Sequence, residues 1–163
     1  MNTGTERFLK IVNNPFKIRL FLLSKLPSAF FSGVRVLIAD ENKCVVTVPY
    51  KWFSKNPFRS TYFACLSMAA EMSTGVLAMA HVYERKPGVS MLVLKIQGNF
   101  TKKATGTTTF TCEEGPAIRQ AVEMAISSGQ SRIVTAKSFG RNQANEIVAE
   151  FDITWTFKAK DRS

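Results

Sequence analysis

Apolar residues fill almost every position of one stretch near the middle of the chain. Between Ser60 and Tyr83 the only formally charged side chain is Glu71. The stretch 56–75 opens with Asn56-Pro57 and is typical of a capped helix that is apolar on nearly every side. Such a helix must be surrounded by other structure. A carboxylate in so apolar a segment is costly unless it is paired, protonated or used, so Glu71 is the first candidate functional residue.

The rest of the chain divides into segments with helix or strand periodicity. The predicted helices are 6–12, 15–26 and 116–127, and the predicted strands are 34–39, 44–50, 91–100, 104–113, 132–139 and 146–158. Long antiparallel strands and one all-apolar helix are arranged most economically as a curved sheet wrapped around that helix. The sequence therefore predicts an α+β fold, with one domain over 1–163 and the segment 1–26 packed on it.

The N-terminal segment has a mixed pattern of apolar and basic residues. Its helix 15–26 follows Asn14-Pro15, a good cap with proline at the first helical position. The apolar stripe is formed by Phe16, Leu20, Leu23 and Phe21, and the interleaved basic residues are Lys17, Arg19 and Lys25. The basic residues break any continuous apolar run, which disfavours a transmembrane span or a signal peptide. We favour docking of the stripe on the domain, and the alternative is that the helix lies on a membrane surface.

Composition and charge narrow the function classes. The chain is 45% hydrophobic with a formal charge of +10, which favours an anionic partner such as a nucleotide, a phosphorylated carrier, nucleic acid or an acidic membrane. The only basic doublets are Lys102-Lys103 and Arg85-Lys86, and no nucleic-acid-binding motif is present. The scattered charge favours a solvated basic surface over nucleic acid.

The three cysteines show neither the close pairs of a zinc site nor the density of a disulfide framework. Cys44, Cys65 and Cys112 are widely spaced in apolar or strand-like runs. We interpret them as reduced thiols in a cytoplasmic protein without a metal. His81 is the only histidine, so no Cys/His pair is indicated and Cys65 is disfavoured as a nucleophile.

The segment Asn56 to Glu71 resembles the motif of the hotdog-fold thioesterase superfamily, and within it a bacterial family of unknown function grouped with thioesterases. Asn56 takes the place of the motif's asparagine, Tyr62-Phe63-Ala64 the place of its histidine-glycine-glycine step, and Glu71 that of its helical carboxylate. The resemblance implies a hotdog fold, a homodimer or a tetramer of dimers, and hydrolysis or binding of acyl thioesters. The acyl carrier would be coenzyme A or acyl carrier protein, with no other cofactor. It also implies that the asparagine loop of one subunit faces the carboxylate of the other.

Thioester hydrolysis requires a base or nucleophile and donors aimed at the developing oxyanion. Glu71 is the candidate base or nucleophile, and Asn56 is the candidate that orients water or donates to the carbonyl. The candidate substrate-binding residues are Arg59, toward coenzyme phosphate, Tyr62, Phe63 and Ala64 at the helix start, and Ser67 on the helix.

Three observations leave alternatives open. Glu71 can instead face solvent or pair with an arginine across a subunit interface, and Asn56 can serve ordinary turn chemistry before proline. Phe63 and Ala64 stand where glycines would let a thioester approach the backbone, which favours a non-catalytic acyl-binding protein as the alternative function. The aromatic residues Phe58, Phe63, Phe100, Phe110 and Trp155 fit either an acyl tunnel or the core.

Overall fold

The computed structural model describes residues 3–160, which form α-helices packed on one antiparallel sheet. The helices are α1 (Thr3–Val12), α2 (Pro15–Lys25), α3 (Pro27–Phe31), α4 (Phe63–Val82) and α5 (Gly115–Ser128), with a 3-10 turn at Trp52–Ser54. The strands are β1 (Arg35–Ala39), β2 (Cys44–Val48), β3 (Val89–Phe100), β4 (Thr108–Cys112), β5 (Arg132–Arg141) and β6 (Ile147–Ala159). The order of elements agrees with the helices and strands predicted from periodicity.

The six strands form a single sheet in the order β1-β2-β4-β5-β6-β3. The strand β6 lies between β5 and β3 and pairs with both along most of its length. Its alternation is confirmed, because Phe151, Ile153, Trp155 and Phe157 are buried while the residues between them are half-buried. The strand β3 pairs only with β6, so its other edge is open among the described residues.

The helix α4 lies against the inner face of the sheet and is the centre of the core. Ala69, Ala70, Leu77, Ala78 and Ala80 are fully buried. By length and composition α4 is apolar enough to cross a membrane, yet most of it is enclosed by the sheet and the other helices. The prediction of an all-apolar helix wrapped by a curved antiparallel sheet is confirmed.

The helix α2 docks on the domain through a different face from the predicted one. Asn14 caps it as expected, because its Oδ1 accepts hydrogen bonds from the backbone N–H groups of Phe16 and Lys17. The buried residues are Ile18 and Leu22, whereas Phe16, Leu20, Phe21 and Leu23 are exposed. The predicted docking stripe is therefore wrong. Helical periodicity allows two apolar faces on α2, and the shape of the rest of the domain selects the one that is buried.

The structure differs from the sequence prediction at Pro27 and at the start of β4. Pro27 begins the short helix α3 instead of ending the helical region, because proline suits the first turn, where the N–H needs no partner. Residues 56–62 form the loop that leads into α4, and α4 begins at Phe63, within the predicted helix start at 62–64. The strand β4 begins at Thr108, four residues later than predicted.

The cysteines and His81 have structural environments. Cys44, Cys65 and Cys112 are free and buried, and Cys44 stands opposite Cys112 across β2 and β4. Burial raises the pKa of Cys44 and raises that of Cys112 to about 12, so neither strand thiol is poised to be a thiolate. His81 is buried, and its Nε2 lies 3.0 Å from the backbone oxygen of Glu41.

Candidate active site

Glu71 lies at an apolar cavity of about 180 Å³ between α4 and the N-terminal helices. The helices α1 and α2 form one wall of the cavity, α4 forms another, and Met91 and Trp155 come from the sheet. The lining residues are Phe8, Ile11, Val12, Ile18, Phe21, Leu22, Leu26, Glu71, Met72, Gly75, Val76, Met79, Met91 and Trp155. About 150 Å³ of apolar space is enough to take up benzene, so the cavity is of a size for an apolar group. Among residues 3–160, Glu71 is the only ionisable side chain that lines it.

The side chain of Glu71 lies over Gly75. A Cβ atom at position 75 would stand 3.1 Å from the Glu71 Oε1 and 3.5 Å from two ring carbons of Trp155. The indole Nε1–H donates to Thr74 Oγ1 over 2.9 Å, and the Thr74 hydroxyl donates to the backbone oxygen of Glu71 over 3.0 Å. These bonds fix the Trp155 ring beside the carboxylate.

The Glu71 carboxylate has no hydrogen-bond or ion-pair partner among residues 3–160. Burial among apolar side chains disfavours its charged form and raises its pKa. A carboxylate with a raised pKa is a better proton acceptor once it ionises, and it is the kind of perturbed group that marks functional sites.

Asn56 organises the loop that leads into α4. Its Oδ1 accepts hydrogen bonds from the Phe58 N–H over 3.0 Å, and from the N–H and the hydroxyl of Ser60, each over 3.2 Å. Arg59 between them has a φ of +59°, in the left-handed region that favours glycine. The carbonyl end of Asn56 thus serves turn chemistry, while its amide Nδ2 has no partner among the described residues.

The Asn56 loop borders a second, open depression of about 550 Å³. Its surface is aromatic and basic, in contrast to the cavity at Glu71. The side chains that give it this character are Phe58, Tyr62, Phe63, Phe100, Lys102 and Lys103. The Tyr62 and Phe63 rings contact each other with centroids 4.9 Å apart. The Lys103 ammonium donates to the backbone oxygen of Phe58 over 3.3 Å.

The start of α4, which borders this depression at Tyr62 and Phe63, has unpaired backbone donors. The N-cap residue Tyr62 makes no side-chain capping bond, and the first helical bonds are donated by the N–H groups of Cys65 and Leu66 to the Tyr62 oxygen. The N–H groups of Phe63 and Ala64 have no partner among residues 3–160. They lie at the positive end of the helix dipole, where negative charge is stabilised.

The predicted site residues fall into two groups within one chain. Asn56, Tyr62 and Phe63 line the open depression, and Glu71 lines the apolar cavity. Arg59 lines neither space, and Ser67 donates its hydroxyl to the Phe63 oxygen over 2.9 Å. At about 1.5 Å of rise per residue, Glu71 lies about 12 Å along α4 from Phe63. The base and the helix-start donors of one chain are therefore too far apart to act on the same carbonyl.

Sequence reasoning missed the contribution of α1 and α2 to the cavity at Glu71. Phe8, Ile11, Phe21, Leu22 and Leu26 line it, although none of them was a candidate site residue. The helical spacing of apolar residues in this segment was visible, but the spacing does not indicate that the segment covers the only charged residue of α4.

Comparison with known proteins places the fold in a recognised class. Residues 19–157 match the family described as a domain of unknown function, DUF4442, and the chain belongs to that family. A search of curated proteins gives no match. The order of elements and the central helix match those of solved structures with the hotdog fold, so the predicted fold is confirmed.

Three solved structures illustrate the similarity. A Pseudomonas aeruginosa protein of unknown function, described as a "probable thioesterase", has a TM-score of 0.72 at 18% identity, with 98% of this chain and 99% of that chain covered. A thioesterase from Haemophilus influenzae has a TM-score of 0.66 at 13% identity, with 91% and 93% covered. A mutant thioesterase from Pseudomonas aeruginosa has a TM-score of 0.65 at 11% identity, with 90% and 95% covered. At these identities the likeness establishes the fold and not the reaction.

Proposed function

We propose that this protein hydrolyses acyl thioesters of coenzyme A or of acyl carrier protein in the cytoplasm, working as a homodimer. The observation that carries the proposal is the unpartnered Glu71 carboxylate, whose pKa is raised, at the edge of an apolar cavity. The cavity takes the acyl chain, and Glu71 acts on the carbonyl at its end. The hotdog-fold neighbours described as thioesterases support the same class of reaction.

In this reaction Glu71 accepts a proton from water as the water oxygen bonds to the carbonyl carbon. The tetrahedral intermediate then collapses, the C–S bond breaks, and the departing thiolate takes the proton back from Glu71. The products are a free thiol and a carboxylic acid. Direct attack by the Glu71 carboxylate, followed by hydrolysis of the resulting anhydride, uses the same residue as nucleophile.

The negative charge on the carbonyl oxygen needs donors that Glu71 cannot supply. The free N–H groups of Phe63 and Ala64 and the Nδ2 of Asn56 are suitable, but the spacing along α4 places the helix start about 12 Å away. A second copy of the chain removes this conflict if its helix start faces Glu71. The open edge of β3, which exposes Leu92, Leu94 and Ile96, is the surface we assign to that pairing.

A non-catalytic acyl-binding role is the second candidate, and Phe63 favours it. Its side chain is 56% exposed at the point where a carbonyl must approach the backbone. A bulky residue there restricts close approach where glycine would allow it. Such a protein would bind an acyl-CoA in the same spaces without hydrolysing it.

The deciding experiment is a thiol-release assay over short, medium, long and aromatic acyl-CoAs and acyl carrier proteins. Glu71→Gln keeps the size of the side chain and removes the proton acceptor, so we expect about a 100-fold or larger loss of kcat. Glu150→Gln, on a half-buried carboxylate of β6 outside the site, is the matched control and should keep full activity.

Two results would contradict the proposal. Saturable binding of an acyl-CoA without turnover selects the non-catalytic role, and a fully active Glu71→Gln enzyme removes Glu71 from the mechanism.

A further inference from the structure

The helix α2 has a second apolar face that the domain does not cover. Ile18 and Leu22 are buried, whereas Phe16, Leu20 and Leu23 are 78%, 57% and 44% exposed. These three residues follow the i, i+4, i+7 spacing, so they lie on one side of the helix and form a ridge, called here the α2 ridge. Single exposed apolar residues are common on proteins, but a row of them indicates an interaction surface.

Exposed aromatic residues lie in α3, which follows α2 in the chain, and in the 3-10 turn that contacts α3. Phe31 at the end of α3, and Trp52 and Phe53 in the 3-10 turn, are each more than half exposed. The rings of Phe31 and Phe53 contact each other with centroids 6.0 Å apart, as do those of Phe53 and Trp52. The amphipathic ring of tryptophan is enriched where proteins meet the polar boundary of a bilayer, and Trp52 is such a ring, while Phe31 and Phe53 add apolar area beside it.

The chain segment that contains the α2 ridge carries formal charge of one sign, although Arg7 at its start pairs with Glu84 over 3.2 Å. From Arg7 to Ala39 the chain carries six basic residues and no acidic residue. On α2 itself Lys17 and Arg19 flank the ridge on its two sides, at the helical angles next to Phe16 and Leu20. An aromatic and leucine ridge between basic residues is typical of a helix that lies in the interface of an anionic membrane.

Two arginines, Arg19 on α2 and Arg35 on β1, form a feature that suits an anion. Arg19 and Arg35 both line a depression of about 230 Å³, and neither has a carboxylate partner among residues 3–160. The Arg19 guanidinium lies 3.9 Å from the centroid of the Phe30 ring, which holds it in place. Burial and the positive charge of Arg35 lower the pKa of Arg19, and a bound anion would relieve that repulsion.

We propose that the α2 ridge docks on an anionic lipid bilayer, with its apolar side chains at headgroup depth and the flanking cations on lipid phosphates. A second copy of the chain is a poorer occupant, because a two-fold pairing of this face would bring its uncompensated basic residues together. The opposite face of α2 lines the cavity at Glu71, so docking would place that cavity close to the lipid. The binding itself does not depend on any catalytic role of Glu71.

The test is co-sedimentation of the full chain with phosphatidylcholine vesicles, with and without phosphatidylglycerol. We expect binding only to the anionic vesicles, and weaker binding as salt is added. The triple variant Phe16→Ser, Leu20→Ser, Leu23→Ser should lower the apparent affinity by roughly tenfold or more. Its residues are exposed, so thermal melting should show an intact fold. Lys17→Gln with Arg19→Gln, which removes the two cations that flank the ridge, should remove most of the preference for phosphatidylglycerol.

Matched controls come from the rest of the surface. Met124→Ser with Ile133→Ser changes exposed apolar residues of α5 and β5, and Lys158→Gln with Lys160→Gln changes exposed cations at the end of β6. Both should leave vesicle binding unchanged.

Several outcomes would overturn the proposal. One is that the wild-type chain fails to bind anionic vesicles at low salt. Another is that the triple variant binds these vesicles as tightly as the wild-type chain. A triple variant with an altered oligomeric mass and unchanged vesicle binding would assign the ridge to contact between copies. Lost association with an acidic carrier protein, again with unchanged vesicle binding, would assign it to a protein partner.

Discussion

The two spaces that hold the candidate site residues differ in enclosure and in polarity. The cavity at Glu71 is walled by apolar side chains from three helices and two strands, and Glu71 supplies the single carboxylate that enters it from residues 3–160. The depression beside Asn56 is open, and Lys102, Lys103 and several aromatic rings line it. One space suits an acyl chain and a base with a raised pKa, and the other suits an anionic carrier and a developing oxyanion.

For the proposed reaction, the difference means that one chain holds the candidate base and the candidate oxyanion donors in separate places. Within residues 3–160, the indole N–H beside Glu71 is already bonded to Thr74, and no carboxylate lines the depression at the start of α4. The separation of Glu71 from the start of α4 follows from helix geometry and cannot be closed by side-chain motion. The proposed reaction therefore takes the two halves of its site from two copies of the chain, and we assign the contact between those copies to the open edge of β3.

The largest expected effect is complementation between two inactive variants. Asn56→Ala and Glu71→Gln homodimers should each lose nearly all activity, because each lacks one half of every site. When they are refolded together in equal amounts, half of the dimers are mixed and each mixed dimer has one intact site, so about a quarter of wild-type activity should return. The measurement is thiol release from the best acyl-CoA, with subunit exchange confirmed by mass.

A mixture that stays inactive after confirmed exchange would place both residues in a site made by one chain. The control is Glu71→Gln mixed with Glu150→Gln. Its mixed dimers have one site with a native Glu71, so it should give half of wild-type activity whichever chain supplies Asn56.

The sequence predicted the central helix and the sheet well, but it predicted the packing of the N-terminal helices badly. The nearly continuous apolar sequence of α4, interrupted by one carboxylate, and the alternation of β6 are strong signals, and both elements appear where they were expected. The docking face of α2 was predicted on the wrong side, since a helix with two apolar faces gives no local signal for which one is buried. The composition of the Glu71 cavity depends on that docking and could not be predicted without it.

The loop around Asn56 illustrates a second limit. The sequence allowed both a catalytic amide and ordinary turn chemistry, and the structure assigns the Asn56 carbonyl to the turn while leaving its Nδ2 available. Arg59 has a left-handed backbone, but an arginine in the sequence gives no indication of a positive φ. The catalytic role of Asn56 stays a prediction.

An intermediate effect is expected from adding one methyl group beneath Glu71. In Gly75→Ala the new carbon would stand 3.1 Å from the Glu71 Oε1, so the carboxylate must move by a few tenths of an ångström. We expect kcat to fall about tenfold, because proton transfer depends on the position of the base. Thermal stability should rise by up to about 1 kcal/mol, since alanine suits a helix interior better than glycine.

A fall in kcat together with a rise in thermal stability would show that Gly75→Ala acts by displacing the Glu71 carboxylate. Gly88→Ala is the control, because its added carbon would meet only the end of the Lys160 side chain at 3.5 Å, and it should leave kcat unchanged. Unchanged kcat in Gly75→Ala would mean that the position of Glu71 over Gly75 is not the catalytic one.

The smallest expected effect concerns stability and its dependence on pH. Burial raises the pKa of folded Glu71 above its value in the unfolded chain, about 4.3. Below the unfolded value both states are protonated and Glu71 adds no dependence on pH. As pH rises, the unfolded chain releases the proton first, so the folded state binds more protons and the stability falls until pH passes the folded pKa.

Glu71→Gln should therefore melt at a higher temperature than the wild-type chain near neutral pH and above. The two should converge near pH 4, below the point where the unfolded carboxyl ionises. The measurement is Tm from about pH 4 to about pH 8, with Glu150→Gln as the control that should follow the wild-type curve. A lower Tm for Glu71→Gln at high pH would mean that the ionised carboxylate is stabilised by a cation. Since no cation contacts it among residues 3–160, that result would indicate an arginine or lysine of a second subunit and a structural role for Glu71 at the interface.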